Sequence, residues 1–170
     1  MVCTGPDIAF AVGQVAQFCQ NPKKAHWNAV KRIMAYLRGT YNYGIVYRGD
    51  TGTNESNRMI IYSDADYAGN VDNMRSISGY LLVLNGGPVS WASRKQQRVS
   101  LSTTEAEFVA MCESTKELIW MRRLLASVGC EQTGPSTLYC DNQGAIKLVH
   151  NPEFHRRTKH IDVKYHFIRQ

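Results

Sequence analysis

Residues 77–95 read ISGYLLVLNGGPVSWASRK, a pattern typical of two strands joined by a tight turn. Both halves are rich in β-branched, aromatic and other apolar residues, which favour strands. The stretch between them, Asn85-Gly86-Gly87-Pro88, is a strong hairpin signal, because asparagine and glycine adopt the positive φ angles of tight hairpin turns. The sequence therefore predicts an antiparallel hairpin in the middle of the chain.

Downstream of the hairpin, the pattern changes to a long helix and then to one more strand. The helix is predicted from about Ser102 to Val128, with Gly129 as its stop. A short strand in STLYCD and a short helix in NQGAIKLVH follow. Strand, long helix and strand in succession imply a right-handed crossover and some parallel pairing. We therefore expect an α/β fold with a central mixed sheet and flanking helices.

Upstream of the hairpin, two strands and a helical pair are predicted. The strands are YGIVYRG (43–49) and RMIIYSD (58–64), and the first forty residues have helical spacing. In the second helix an apolar stripe is expected to pack in the core; its members are Trp27, Val30, Met34 and Leu37. We expect a helical segment over 1–42 and an α/β domain over 43–170.

Composition narrows the class of protein. The 170 residues are 44% hydrophobic and 20% charged, which is typical of a globular chain. The net charge of +6 is compatible with an acidic partner such as nucleic acid, and equally with an ordinary basic surface. The five cysteines are odd in number and form no C-x-x-C pair, which argues against a disulfide framework and a zinc ribbon. No signal peptide is evident and no apolar run approaches the roughly 20 residues of a membrane span, so we expect no membrane partner.

Three carboxylates stand at the ends of predicted elements. Asp64 ends the second upstream strand, Asp141 ends the short downstream strand, and Glu107 lies in the first turns of the long helix. If the two strands are parallel neighbours, Asp64 and Asp141 meet at their carboxyl ends, where α/β sheets collect their sites. Aspartates at strand ends are also common in ordinary turns, and Asp-Asn before a helix is also a plain N-cap pair.

Glu107 is the most informative of the three carboxylates. At 100° per residue, it falls on the apolar stripe of the long helix that includes Met111, Leu118 and Met121. Burying an ionised carboxylate there costs on the order of several kcal/mol of folding free energy, unless a positive charge pairs with it. The structural alternative is a capping box, formed by Ser102 with Glu105 or by Thr104 with Glu107. Glu105 fits that alternative better than Glu107 does.

Converging carboxylates are natural ligands for Mg²⁺, a hard cation that prefers oxygen. Two such ions can activate a water and stabilise the leaving oxygen of a phosphodiester. On a basic chain, the three acids therefore suggest metal-dependent phosphodiester hydrolysis.

Several motifs in series then identify a resemblance. YSDADYAGN, RSISGY, GGPVSWASRKQQRVSLSTTEAEF, LYCDNQGAI and RTKHIDVKYHFIR, in this order, resemble the ribonuclease H domain of copia-type retrotransposon Pol polyproteins. The resemblance covers nearly the whole chain. The opening TGPDIAFAVGQVAQF and NPKKAHWNAVKRIMAYLRGT resemble the C-terminal end of the reverse transcriptase that precedes that domain. Tyr67, Asn70 and Gly5 replace the tryptophan, aspartate and arginine usual in the family.

The resemblance implies a ribonuclease H-like fold and an enzyme that cuts the RNA strand of an RNA–DNA hybrid. By position, Asp64, Glu107 and Asp141 match the family's catalytic and metal-binding acids, which would hold Mg²⁺, with two ions expected and Mn²⁺ as a possible substitute. Asp66 is expected to be a neighbour. The implied partners are the RNA–DNA hybrid and the polymerase domain of a parent polyprotein. The implied location is a cytoplasmic retroelement particle, with the nucleus as the alternative.

Two basic clusters are predicted to contact the hybrid backbone, or else to be solvated loops. One lies between the hairpin and the long helix and comprises Arg94, Lys95, Arg98 and the neutral Gln96; the other is in HRRTKH and comprises Arg156, Arg157 and Lys159.

The end of the chain departs from the family pattern. The family's fourth acid lies in a helix beyond HIDVKYHFIR, and Asp162 belongs to the family's own KHID motif, so we do not equate the two. We therefore expect a domain truncated at its C-terminus that cleaves poorly. The alternative function is a catalytically impaired remnant that at most binds nucleic acid or protein. A strand-transferring integrase of the same broad fold is a third possibility, against which STTEAE and LYCDNQ argue.

Overall fold

A computed structural model gives the fold of residues 5–48, 58–70, 72–150 and residue 168. After a single 3-10 turn at Pro6–Ile8, the elements in chain order are α1 (Ala9–Ala16), α2 (Lys24–Gly39), β1 (Ile60–Asp66), β2 (Ile77–Leu84), β3 (Gly87–Lys95), α3 (Thr103–Ser127), β4 (Thr137–Tyr139) and α4 (Gln143–His150).

The strands form one mixed sheet in the order β3-β2-β1-β4. β2 pairs antiparallel with both β1 and β3, whereas β1 and β4 are parallel. The β2–β3 hairpin turns at Asn85 and Gly86, whose φ angles are 52° and 74°. Positive φ at both positions is what a two-residue hairpin turn needs, which explains the Asn-Gly pair. The predicted hairpin and the predicted mixed α/β architecture are confirmed.

α3 covers one face of the sheet and supplies half of the buried hydrophobic residues that the structure describes. Its C-terminal half packs Leu118 and Met121 against Ile61 and Leu82, and its N-terminal half packs around the fully buried Phe108. Burial of each such side chain is worth roughly 1.5–3 kcal/mol. No helix in the described part of the chain is long and apolar enough to span a membrane.

Two features hold the segments that connect α3 to β4 and β4 to α4. Arg122 donates hydrogen bonds to the backbone carbonyls of Gln132 and Gly134, at 2.6 and 2.8 Å, and so holds the loop that leads into β4. At the start of α4, a Cβ on Gly144 would lie 2.9 Å from the Thr104 hydroxyl of α3. Glycine therefore lets the first turns of α3 and α4 approach closely, which sets the segment after β4 beside the start of α3.

The strand boundaries differ from the sequence prediction in three places. Residues 43–48, expected to form a strand, are irregular; their amide contact to the hairpin is Arg48 N–H to Asn85 O, at 2.8 Å. One such bond does not make a ladder. β1 continues two residues beyond Asp64, because Asp64–Asp66 still pair with Ile77–Gly79 of β2. β4 ends at Tyr139, so Asp141 follows the strand at a distance of two residues.

The prediction that the stripe on α2 packs in the core is wrong. Trp27 is 54% exposed and Met34 is 56% exposed, and no residue of α2 is buried. α2 packs on α1, and α1 in turn contacts β3. The stripe was inferred from periodicity, which locates an apolar face but does not say whether another element covers it.

Candidate metal centre at the β1–β4 edge

The parallel pairing of β1 and β4 brings two of the predicted acids to one edge of the sheet. Tyr62 of β1 is in register with Tyr139 of β4. Asp64 and Asp141 each lie two residues further along their segments, so both follow this pair at the same end of the two strands. The condition stated from the sequence, that these two strands are parallel neighbours, is met, and the expected parallel pairing in the sheet is confirmed.

α3 directs the third acid toward the same edge. Glu107 is only 6% exposed, although it is a glutamate on an otherwise apolar stretch of helix. The Cys140 thiol lies 3.9 Å from its Oε2, and the backbone of Ala65 in β1 is close enough to lower the pKa of the carboxyl. Potential ligand atoms of Glu107, Cys140 and Asp141 all lie within 4.8 Å of one another.

Burial and nearby negative charge make the ionised form of Glu107 costly. Desolvation is the main reason that the pKa of this carboxyl rises from 4.5 to about 7, and the charges of Asp64 and Asp141 raise it further. The hydrogen bonds from Ala65 and Cys140 oppose the rise. Burial likewise raises the pKa of the Cys140 thiol. A cation placed among these carboxylates would relieve the repulsion that raises the pKa of Glu107.

Residues other than Glu107 and Asp141 cap the N-termini of α3 and α4. Ser102 Oγ accepts from the Glu105 N–H at 3.1 Å, and Glu105 Oε2 accepts from the Leu101 N–H at 2.7 Å, so Glu105 serves the start of α3. At the start of α4, Asn142 Oδ1 accepts from the Ala145 N–H at 2.9 Å. Glu107 and Asp141 are therefore not the capping residues of these helices, and another reason is needed for carboxylates at their positions.

Asp64 and Asp66 have different surroundings. Asp64 is exposed on β1 and lies outside the 4.8 Å group, yet its charge is close enough to raise the pKa of Glu107. The carboxylate of Asp66 folds back over Gly69, where any Cβ would collide with it. The Asp66 side chain thus lies over the turn that follows β1, and its role as a neighbour of the metal site stays a prediction.

Two features of the site were not foreseen. Cys140 joins the carboxylates because it immediately precedes Asp141, and the only signal in the sequence was its position in LYCD. Tyr62 and Tyr139 stack with ring centroids 5.2 Å apart and are 48% and 50% exposed. Their matching position, two residues before Asp64 and Asp141, could have indicated a shared aromatic face next to the acids.

The described basic residues do not form one patch. Arg94 lies on the face of β3 that α3 covers, the same face as Ala92, because it pairs with Ser78 and Ala92 pairs with Tyr80. Lys95 lies on the other face and donates a hydrogen bond to Gln17 Oε1 at 2.8 Å. Arg98 is exposed in the loop before α3. Their contact with nucleic acid stays a prediction, and Arg156, Arg157 and Lys159 lie outside the described residues.

Gln96, grouped with these cations from the sequence, is an internal anchor. It is 7% exposed, its Nε2 donates to Ser78 Oγ and to the Ala106 carbonyl at 2.9 Å each, and its Oε1 accepts from Ser100 Oγ at 2.7 Å. It ties the end of β3 to the first turns of α3, and so helps to fix where Glu107 stands.

The donor chemistry fits a hard divalent cation. Glu107 and Asp141 offer carboxylate oxygens in one small volume, and Asp64 lies beside them, which is the ligand type that Mg²⁺ and Mn²⁺ prefer. The Cys140 thiol is a softer donor that suits zinc or other thiophilic ions better. The fold and the site thus define an α/β domain whose sheet edge gathers acids suited to a divalent metal.

Comparison with known proteins finds clear relatives of the chain, although no family model matches it. It is 49% identical over 170 residues to the retrovirus-related Pol polyprotein from transposon TNT 1-94 of Nicotiana tabacum, covering 100% of this chain and 12% of that polyprotein. It is 43% identical over 167 residues to the corresponding polyprotein from transposon RE2 of Arabidopsis thaliana, covering 98% of this chain and 11% of that one. The chain is thus homologous to a segment of retrovirus-related Pol polyproteins from plant transposons.

A shorter relative shares most of its own length with the chain. The protein described as secreted RxLR effector protein 161 of Plasmopara viticola is 48% identical over 122 residues, which is 71% of this chain and 82% of that protein. By contrast, the chain spans only about a tenth of the transposon polyproteins, at 12% and 11% of their lengths.

Proposed function

We propose that this chain is the ribonuclease H region of a retrotransposon Pol polyprotein and that it hydrolyses the RNA strand of an RNA–DNA hybrid. The observation that carries the proposal is the buried carboxylate of Glu107, set beside Asp141 and within electrostatic reach of Asp64 at the β1–β4 edge. Such a carboxylate is costly unless a cation stabilises it. A ribonuclease H-like fold agrees with the mixed sheet and its flanking helices.

Asp64, Glu107 and Asp141 would hold the metal in this proposal, with two Mg²⁺ ions expected and Mn²⁺ able to replace them. The bound ions would supply activation of a water and stabilisation of the leaving oxygen. Within the chain, the Ala65 backbone favours the ionised form of Glu107, and burial of this carboxylate limits competition from bulk water. Asn142 fixes the start of α4, which keeps Asp141 at the edge of the sheet.

The hybrid would be recognised through its charge and shape. A protein that reads an A-like duplex contacts mainly phosphates and 2′-hydroxyls. Arg94, Lys95 and Arg98 are the described cations that we assign to this contact, and the net charge of +6 favours it. Because Arg94 and Lys95 lie on opposite faces of the sheet, one duplex surface is expected to use Arg98 with one of them.

The parent polyprotein gives the expected setting of this activity. We infer that the polymerase domain is the natural partner and that a retroelement particle is the location, since the relatives are much longer Pol polyproteins. A remnant that binds the hybrid without cutting it is the competing possibility, and the cleavage experiment separates the two.

The test is cleavage of a hybrid labelled on its RNA strand, with Mg²⁺, with Mn²⁺ and with chelator. We expect metal-dependent cutting of the RNA strand and none of a DNA duplex. Asp64→Asn, Glu107→Gln and Asp141→Asn should each lower the rate by about a hundredfold or more, because the metal ions would lose a ligand or their placement. The matched control is Asp66→Asn, which should change the rate by less than about tenfold.

The alternatives predict other outcomes. Binding of the hybrid with no cleavage in either metal would support the remnant. Equal loss from Asp64→Asn and Asp66→Asn would mean that both aspartates serve the metal. Cleavage that persists in chelator would overturn the metal-dependent mechanism.

A further inference from the structure

The groove between α1 and α2 is an apolar surface that the proposed nuclease does not use. It encloses about 310 Å³, and its walls come from both helices. Val12 and Val15 of α1 face Val30, Met34 and Leu37 of α2 across it. We refer to this surface as the α1–α2 groove.

α2 lacks the packing that normally stabilises a helix. It is 16 residues long, and none of its residues is buried. Trp27 and Met34, its largest apolar side chains in the groove, are more than half exposed. Most helical stability in proteins comes from burying an amphipathic face, so an apolar face left open on a helix of this length is costly.

The apolar face has the spacing of a helix-pairing surface. Trp27 and Met34 are seven residues apart, and so are Val30 and Leu37. Along the helix the four residues are therefore separated by three, four and three positions, which is the alternating spacing of coiled-coil seams. Two successive heptads of this kind would accept the side chains of a second helix. On one edge the seam already meets the segment that follows α1, where the rings of Phe18 and His26 stack with centroids 4.0 Å apart.

The other edge of the seam carries a row of positive charge. Lys24, Lys31 and Arg38 also recur at seven-residue intervals, and they lie about 80–120° around the helix from Val30, next to Trp27 and Met34. α2 contains no acidic residue. Among the residues that the structure describes, none of the three cations forms an ion pair. They occupy the position from which coiled-coil residues pair with charges on the facing helix.

We propose that the α1–α2 groove binds an amphipathic helix whose apolar seam is flanked by glutamate or aspartate. The apolar side chains of that helix would fill the groove, and its acids would pair with Lys24, Lys31 and Arg38. A second copy of this chain does not fit, because its own α2 would bring the same three cations and no acid. A nucleic acid does not fit either, since the groove is lined almost entirely by apolar side chains, with His26 as its one strongly polar member.

The probe is a fluorescein-labelled designed peptide, about three heptads long, with leucine on the seam and glutamate at the flanking positions. Its control has lysine in place of every glutamate. Fluorescence anisotropy with the full chain should show the glutamate peptide binding at least about tenfold more tightly at low salt, because opposite charges face each other. The preference should shrink as salt rises, because exposed pairs are screened.

Charge reversal provides the sharper test. The triple variant Lys24→Glu, Lys31→Glu, Arg38→Glu should prefer the lysine peptide. Arg32→Glu is the matched control, because Arg32 lies about 160° away from Val30 on the same helix and should leave the original preference unchanged. Met34→Gln should weaken both peptides, and far-UV circular dichroism verifies that each variant is folded.

Four outcomes would overturn the proposal. If neither peptide binds, or if both bind equally well, then acidic residues on the partner helix do not pair with the three cations. Concentration-dependent dimers that Met34→Gln abolishes, without peptide binding, would assign the face to a second copy. Binding to vesicles containing anionic lipid, without peptide binding, would assign it to a membrane surface. None of these measurements depends on nuclease activity.

Discussion

α3 and α2 are the two longest helices among the residues that the structure describes, and they differ in how far their side chains are buried. α3 buries ten residues, among them a glutamate that is 6% exposed, whereas α2 buries none and leaves a tryptophan 54% exposed. α3 crosses a sheet that covers one side of it, and α2 rests on the short helix α1. Burial in this molecule is therefore decided by what lies opposite a residue, and residue type alone does not predict it.

The most demanding test of this contrast compares two aromatic residues. Phe108→Ala removes a fully buried ring of the α3 core, so the free energy of unfolding should fall by about 3–5 kcal/mol. Trp27→Ala removes a larger ring from the open face of α2 and should cost less than about 1 kcal/mol in the isolated chain. Denaturant titration measures both. Equal losses would show that Trp27 is covered in solution.

The buried acid of α3 should make stability depend on pH in the absence of metal. The folded pKa of Glu107, about 7, is above the ordinary value of 4.5, so between these values the unfolded chain releases the proton first. The contribution of this residue to stability is thus complete below pH 4.5 and is lost as pH rises through 7, by up to roughly 3 kcal/mol.

Glu107→Gln should remove that dependence, because glutamine does not ionise. In chelator, the variant should therefore gain stability relative to the original chain between pH 5 and about pH 8. Glu113→Gln, at a half-buried position on the outer face of the same helix, serves as the control and should retain the original slope. Parallel pH profiles for the original chain and Glu107→Gln would contradict the assigned pKa. Added Mg²⁺ should stabilise the original chain at pH 8 more than at pH 5, since a metal competes with protons for the carboxylate.

Two adjacent glutamines test the contrast at the start of α3. Gln96→Ala should cost about 1–3 kcal/mol, because the Ser78 hydroxyl, the Ala106 carbonyl and the Ser100 hydroxyl would each lose a partner. Gln97→Ala, at the exposed neighbouring position, should change stability by less than about 0.5 kcal/mol. Thermal and chemical denaturation report both. A loss of similar size at both positions would mean that the loop as a whole, and not the anchor, carries the effect.

The smallest effect is expected on the outer face of α3. Lys116 and Glu113 form an ion pair of 3.2 Å whose side chains are 48% and 42% exposed. Exposed pairs at this spacing contribute about 0.2–0.5 kcal/mol and are screened by salt. Glu113→Gln should therefore lower stability by no more than about 0.5 kcal/mol, and by less in high salt. A loss well above this value would assign Glu113 a further structural contact.

Local patterns predicted much of the fold. Asn85-Gly86 fixed the hairpin, because few other pairs accept positive φ at both positions. Ser102 and Gly129 bracketed α3 correctly, since caps and stops act within a few residues of the chain. The strand predicted at 43–49 is the clearest local error. Its apolar and aromatic residues favour a strand, but a strand requires a partner ladder, and only the described contacts of the fold show that none forms over 43–48.

Part of the candidate site was also predictable from local patterns in the sequence. The helical wheel placed Glu107 on an apolar stripe, and the strand ends located Asp64 and Asp141, because both inferences use periodicity within one element. Cys140 and the Tyr62–Tyr139 pair were missed, since they become neighbours only when β4 pairs with β1. Gln96 was grouped with surface cations because sequence proximity does not reveal which way a side chain faces.

The sequence by itself determined the elements of this protein, its turns and caps, and the identity of its acidic residues. These depend on backbone preferences and hydrogen bonds between residues close in the chain. Only the tertiary structure decided that Glu107 meets Asp141, that Gln96 is an internal anchor, and that the apolar face of α2 stays open. Those outcomes depend on which surfaces exclude water from one another, and that is a property of elements packed together, often from distant parts of the chain.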